Sequence, residues 1–452
     1  MYKTSKFNYY IYNDNSELLL YNSMKGTDSF CKIDKNNSSE VHSILNKDRV
    51  EVSENDSVLA SLLSKGFIIN EDIDEDALCY KSYLKAINNN YLHLVINPTD
   101  CCNFKCVYCY ETDSKNFMCE ETQNALINYV KKEIRYYEGL RVSWFGGEPL
   151  LKLDVVCKLS TEFIKICRQQ KRSYIASITT NGYFLDINTF EKLLDLRIIH
   201  YQITIDGPKV THDHQRPLLT GHGTFDVILN NLLNIKNKCQ RSYFNITLRT
   251  NYTKLVYPYL DEYLKLLETS FMDNKHFDVL IRPADDWGGE RVSAVKSDLF
   301  GDNPRFIKSI IKKMHGYNLN FILMKNFFNP ESNFCYAAKL NSLSINSKGE
   351  ISKCTTDLHM CPEAKIGEII NGNFHINTNE QLKWIIPYNE TCSCFFKPVC
   401  LGIKCPKAYC ESKKLANDNK KFSIQCPFER VYIDDLFLLF DKKNMFPYLL
   451  NE

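Results

Sequence analysis

Residues 92–110 read "LHLVINPTDCCNFKCVYCY": a short β-prone run, a turn, and then four cysteines within nine positions. The run 92–97 is the first of six similar ones. The others are "RVSWFG" (141–146), "YIASITTNG" (174–182), "IIHYQITIDG" (198–207), "FNITLRTN" (244–251) and "FDVLIRP" (277–283). Helical patterns over 120–137, 151–168, 188–195, 224–236 and 256–270 separate them. Strands alternating with helices predict an α/β fold built on a parallel sheet of βα units, either doubly wound or curled into a full or partial barrel. In either case chemistry belongs at the C-terminal ends of the strands. The conspicuous short motifs lie there: the cysteine loop after the first strand, "GGEP" (146–149) after the second, "TTNG" (179–182) after the third and "IDG" (205–207) after the fourth.

The chain has 452 residues, enough for two or three domains with a substantial core. Its hydrophobic and charged fractions, 44% and 24%, are those of a globular protein. A net charge of +2 gives no support for nucleic acid as partner, since affinity for a phosphate backbone comes from concentrated Lys and Arg. The apolar run "LFLLF" (436–440) is far too short to span a bilayer, and the N-terminus lacks the apolar core of a signal peptide. No membrane partner is expected, and the chain reads as cytoplasmic.

In a reducing compartment the 19 cysteines are metal ligands or buried thiols, not a disulfide framework. Cys31, Cys79, Cys119, Cys157, Cys167 and Cys239 are isolated and read as small buried hydrophobes. The rest fall into two groups, 101–109 and 335–426. In the first, Cys102-x3-Cys106-x2-Cys109 places three thiols on one loop, with Cys101 directed to the opposite side of the strand end. A structural zinc site takes four closed ligands, whereas a 4Fe–4S cluster held by three cysteines leaves one iron open. Around this core, runs at 7–12, 17–23 and 29–33 and helices at 39–46 and 56–64 form a small N-terminal module, followed by an acidic linker or helix start at 70–77. Beyond residue 330 a hairpin at 342–354 is the clear regular element before a final helix at 428–441. A region so poor in apolar periodicity points to metal clusters as its source of stability. The expected division is 1–88, 89–328 and 329–452.

The CxxxCxxC loop, with Tyr108 before its last cysteine, and the motifs downstream resemble the radical S-adenosylmethionine (SAM) enzymes. The resemblance implies a partial (β/α)6 TIM-like barrel, a 4Fe–4S cluster on Cys102, Cys106 and Cys109, and SAM bound at the open iron. It places Gly146 and Gly147 close to the amino group of SAM, with Glu148 supplying a carboxylate for it. Thr180, Asn181, Asp206 and Arg249 become candidates for ribose and carboxylate contacts. The C-terminal cysteines resemble the SPASM extension, which carries two auxiliary 4Fe–4S clusters. By position, Cys335, Cys354 and Cys405 would serve one, with Cys361 or Cys410 or an open iron completing it. Cys392, Cys394, Cys400 and Cys426 would serve the other. Two spacings depart from the SPASM pattern: Cys392-x-Cys394 is one residue short and Cys400-x4-Cys405 one long.

The N-terminal module resembles the winged-helix-like leader-binding domain of enzymes that modify ribosomally made peptides, in which the leader adds as a strand to a sheet edge. The phrases "TIDGPKVTHDHQRPL" and "GTFDVILNNL" are similar to those of SPASM peptide maturases. His212, His214 and Arg216 lie in that loop as positioning residues, and no residue is singled out as general base. The implied function is a radical SAM/SPASM maturase that abstracts hydrogen from a precursor peptide and installs a thioether or C–C cross-link. Its electron donor would be a flavodoxin or ferredoxin. The rivals are an anaerobic sulfatase-maturating enzyme, which makes formylglycine, and a non-catalytic iron–sulfur or zinc protein.

Overall fold

The computed structural model describes residues 1–51, 56–111, 114–286, 290–299, 303–357, 364–403, 405–415 and 426–449. At the N-terminus, β1 (Tyr2–Thr4), β2 (Asn8–Tyr12), β3 (Leu18–Asn22), β4 (Gly26–Ile33) and β5 (Ile68–Asn70) form two small sheets, a β2-β3-β4 meander and a β1-β5 pair. Helices Lys35–Leu45, Ser57–Ser64 and Glu75–Ile87 accompany them, each started by an aspartate whose carboxylate accepts two first-turn N–H groups: Asp34, Asp56 and Asp74. The acidic stretch at 70–77 is therefore the end of β5 and the start of a 13-residue helix. Because side chains alternate along a strand, β3 serves two cores. Leu18 and Leu20 pack with Cys31, Val41, Leu62 and Phe67 inside the module, while Leu19 and Tyr21 join the main core.

The barrel strands are β6 (Tyr91–Ile96), β7 (Gly139–Trp144), β8 (Ser173–Thr180), β9 (Ile198–Thr204), β10 (Asn245–Tyr252) and β11 (Phe277–Pro283). All neighbours pair in parallel and in sequential order. Their intervening helices bury one apolar stripe each; in Leu153–Gln169 it is Val155, Val156, Leu159, Phe163, Ile166 and Cys167. The sheet does not stop at β6. Strand β12 (Ser342–Ile345) pairs parallel with it, and β13 (Glu350–Ser352), β14 (Lys365–Ile370) and β15 (Asn373–Ile376) extend the sheet antiparallel to ten strands. The fold is thus α/β with a partial parallel barrel whose rim continues into the cysteine-rich region.

Three expectations are corrected. The hairpin β14–β15 was passed over in the sequence, although its turn, Asn371-Gly372, has both residues at positive φ (49° and 71°), as a two-residue hairpin loop of the primed type requires. The final helix is broken at Tyr432 into Phe428–Val431 and Ile433–Lys442. Cys119 is exposed, since it precedes the helix Glu120–Glu133 at its N-cap. There the hydroxyl of Thr122 lies 3.3 Å from its Sγ and holds the thiol below its ordinary pKa.

The C-terminal helix closes the main core over the N-terminal module. Phe30 of β4 stacks on Phe446 at 4.5 Å and 3°, meets Phe437 edge-on at 5.3 Å, and lies beside Tyr21 and Phe328. No helix among the described residues is long and apolar enough to cross a membrane.

Candidate active site

A cavity of about 340 Å³ opens at the C-terminal ends of β6–β11, and Cys102, Cys106 and Cys109 all line it. Their loop is pinned against the segment after β9: Lys105 N donates to Pro217 O at 2.8 Å and Val107 N to Gln215 O at 2.9 Å. Burial is the main influence on all three thiols and pushes Cys109 up to about 12. Without metal these thiols stay protonated at neutral pH, so a metal that binds them must displace protons. Cys101 lies aside, its Sγ 3.8 Å from Asn116 O.

The glycine pair after β7 is required by contact with this loop. Gly146 has φ +105°, and a Cβ there would sit 2.6 Å from Thr99 O; at Gly147 it would sit 2.2 Å from Cys101 O. The turn is then locked by Glu148 N donating to Cys101 O at 2.8 Å. The Glu148 side chain points elsewhere than the resemblance implies. It is fully buried, and its carboxylate accepts from Leu150 N (2.9 Å), Thr180 Oγ1 (2.7 Å) and Asn181 N (2.7 Å). It thereby joins the end of β7 to the end of β8 and does not line the cavity, whereas Thr180 and Asn181 do. Asn181 Nδ2 donates to Asn103 Oδ1 at 2.8 Å, next to Cys102.

Asp206 is also fully buried and inward. One oxygen accepts from Asn251 N at 2.7 Å; the other takes the hydroxyl of Tyr108, which in turn accepts from Arg216 Nη1 at 2.7 Å. Burial raises the Asp206 carboxyl, and Arg216, 3.7 Å away, opposes that shift. Tyr108, Arg216, Asn251 and Arg249 present this network to the cavity, with Arg249 Nε donating to Asn251 Oδ1 at 3.0 Å. Burial followed by the nearby Arg282 holds Arg249 below its ordinary value. His212 stands behind the wall. Its Nδ1 accepts Asp206 N–H at 3.1 Å, and its Nε2 faces Thr224 Oγ1 at 3.2 Å, whose own proton goes to Arg216 O. His214 is exposed.

Two cavity carboxylates escaped the sequence reading. Glu111 is pushed up to about 8 by burial and then by the carboxylates of Asp100 and Glu148; Asp285 follows β11. The available signal was an acid directly after "CVYCY" and another at the end of the sixth strand.

The C-terminal thiols form two neighbourhoods. Burial raises Cys335 to about 12, with further contributions from Cys354 and Cys405. Burial raises Cys400 to about 12, with further contributions from Cys392, Cys394 and Cys426. Cys410 Sγ turns to Lys383 O at 3.6 Å, and Cys361 lies outside the described residues. The first neighbourhood adjoins the cavity: Thr356 lines it and lies 3.1 Å from Cys354 Sγ. Among the described residues no three His, Cys, Asp or Glu side chains converge as one metal ion would require.

Residues 96–268 match the model of the radical SAM superfamily. An uncharacterized protein of Methanocaldococcus jannaschii is 26% identical over 268 residues, 58% of this chain and 85% of its own. Fe-coproporphyrin III synthase of Methanosarcina barkeri is 28% identical over 191 residues, covering 40% of this chain. GTP 3',8-cyclase of Klebsiella pneumoniae is 25% identical over 150 residues, covering 32%. The chain spans 43% of the length of each of these two enzymes. In fold it is similar to native anSMEcpe with bound AdoMet and Kp18Cys peptide, at TM-score 0.53 and 20% identity, over 78% of this chain and 96% of that one. The span similar to the radical SAM superfamily, residues 96–268, is the one that builds most of the cavity, from the cysteine loop through the turns after β7, β8 and β9.

Proposed function

We propose that the chain is a radical SAM/SPASM maturase that oxidatively cross-links a ribosomally made peptide. The donors at the cavity fit the family's cofactors: three thiols on one loop for a 4Fe–4S cluster, and the amide and guanidinium groups of Asn181, Asn251 and Arg249 for the polar parts of SAM. When bound, cluster and SAM together supply a 5′-deoxyadenosyl radical that takes a hydrogen atom from substrate. The chain's own residues orient and enclose. Glu148 fixes the turn after β8 and Asp206 the end of β10 from inside, Tyr108 and Arg216 hold the cysteine loop against the wall, and Tyr110 and Thr356 line the cavity beside the Cys335, Cys354 and Cys405 group. That group and the Cys392, Cys394, Cys400 and Cys426 group are the ligand sets of two auxiliary clusters.

The observation that carries the peptide reading is a strand edge, that of β2, to which no strand among the described residues pairs. In the meander, Phe7 O accepts from Ser23 N and Asn13 N donates to Glu17 O, so the alternating ladder turns the main-chain groups of Tyr10 and Tyr12 away from β3. The opposite edge, β4, is covered by the chain itself: Thr27 N donates to Asn329 Oδ1, Lys32 N to Pro447 O and Leu449 N to Lys32 O. A peptide strand therefore adds along β2.

The test uses full-length protein loaded anaerobically with iron and sulfide. After dithionite reduction with SAM, 5′-deoxyadenosine should form with the wild type and be absent with Cys102→Ala/Cys106→Ala/Cys109→Ala. Peptides selected on the same protein from a cysteine-bearing display library should slow amide exchange at Tyr10 and Tyr12. SAM cleavage without protection of β2 by any selected peptide would leave a radical SAM enzyme whose substrate is not a leader-bearing peptide, and formylglycine formation would become the better reading.

A further inference from the structure

The loop bearing Cys392, Cys394 and Cys400 is met by two distant parts of the chain. Cys394 Sγ accepts from Phe396 N at 3.4 Å and from Arg430 Nε at 3.2 Å. Arg430 is not a free surface arginine. It sits on the short helix Phe428–Val431, which Pro427 separates from Cys426, and that helix is riveted to the barrel through its neighbour Glu429. Glu429, 3% exposed, pairs with Arg282 of β11, whose guanidinium lies 3.9 Å from the Phe428 ring. The Arg430 guanidinium itself lies 4.6 Å from the ring of Phe395, the residue after Cys394, and Phe395 stacks on Tyr9 of β2 at 4.2 Å and 19°. Tyr9 in turn bonds Asp434 of the following helix. These five contacts fix the donor's position relative to one sulfur.

We propose that Arg430 raises the reduction potential of the cluster held by Cys392, Cys394, Cys400 and Cys426, through its charged hydrogen bond to Cys394 Sγ. The inference rests on the auxiliary-cluster reading above. Adding one electron to an iron–sulfur cluster increases the negative charge carried by its sulfurs, and hydrogen bonds to those sulfurs are among the determinants of potential. A guanidinium held at one sulfur stabilises the reduced form more than the oxidised form, and a charged donor does so more strongly than a neutral one. Arg430 is a positioning and tuning residue that touches a ligand, not the reacting substrate.

The experiment is an EPR-monitored dithionite titration of the anaerobically reconstituted full chain, carrying Cys102→Ala/Cys106→Ala/Cys109→Ala so that the signals come from the C-terminal cysteines alone. Arg430→Met keeps a stem over Phe395 but removes donor and charge. Its reduction equilibrium should become at least tenfold less favourable, a fall of about 59 mV for one electron, with iron per chain unchanged. Arg430→Lys keeps the charge without the planar fork and should fall between the two. An unchanged potential in Arg430→Met overturns the proposal, and so does loss of iron in that variant, which would make the residue a structural clamp. If Cys394→Ala leaves iron content unchanged, the ligand assignment fails instead, and the two failures are told apart.

Discussion

Asp206 and His212 show how much of the site is built by residues that never face the cavity. The motif "IDG" draws attention to Asp206 as a cofactor contact, yet nothing local in it says that both carboxylate oxygens turn to Asn251 N and Tyr108, because those partners come from another strand and from the cysteine loop. Glu148 of "GGEP" escapes the sequence for the same reason, its acceptors being engaged by Leu150, Thr180 and Asn181. The cysteine spacing, by contrast, is legible because all three cavity thiols lie on one short stretch. His212 gives a prediction at this scale. Fully buried, with Nδ1 accepting a main-chain N–H, it must be neutral in the folded state, and burial followed by the charge of Arg216 holds it well below the ordinary imidazole value. The unfolded chain protonates this imidazole below about pH 6.5 while the folded chain refuses the proton, so stability is complete above that pH and falls as pH decreases, by about 1.4 kcal/mol per unit. In His212→Asn, whose side-chain oxygen still accepts from Asp206 N, the loss of urea-unfolding free energy between about pH 7.5 and about pH 5.5 should be smaller by about 1.4 kcal/mol than in the wild type. An equal loss in both proteins would show that His212 is not the titrating group.

Among elements, the six barrel strands and their helices were readable because each carries its own period and its own turn. What joins them was not. That β12 pairs with β6, and so brings the cysteine-rich region onto the barrel rim, depends on which edge is free, a property no single segment contains. The turns after the strands make this concrete. At Gly147 a Cβ would stand 2.2 Å from Cys101 O and 2.7 Å from Asp100 O, both backbone atoms that cannot swing aside. Gly147→Ala should therefore push the cysteine loop off its register and, on the proposed reading that Cys102, Cys106 and Cys109 hold a cluster, lower the iron bound there to a small fraction of the wild-type value in an iron assay. Gly372→Ala is the control. Its φ of +71° imposes a left-handed cost of about 1–2 kcal/mol, but nothing lies within 4 Å of the added Cβ, so stability should fall while iron content holds. Equal iron in the two variants would mean that the loop tolerates displacement and that the glycine contact does not set the site.

At the scale of the whole molecule, the N-terminal module and the cysteine-rich region are tied to the barrel by one continuous apolar cluster, from Leu19 and Tyr21 through the barrel strands to Phe437, Phe440 and Phe446. Excising the first 88 residues would strip the cover from that cluster, so a truncated chain could not report on peptide binding alone. Phe30 is the point where the argument can be tested with the chain intact. Its ring touches Phe437 and Phe446, and it is 1% exposed. Replacing a buried phenylalanine by alanine costs about 3–5 kcal/mol, because the cavity is only partly refilled. Since the lost contacts include those from the module to Phe328 and to the C-terminal Phe437 and Phe446, and the module's own cluster of Leu18, Leu20, Val41 and Phe67 is untouched, Phe30→Ala should loosen the junction first. Hydrogen exchange should then show amides of β4 and of the helix Ile433–Lys442 opening earlier, relative to those of β7 and β8, than they do in the wild type. A uniform acceleration across the chain would mean instead that module and barrel unfold as a single unit even when the contact between them is cut, and any signal from a peptide on β2 would then have to reach the cavity through the whole core, not through the seam at Tyr9 and Phe395.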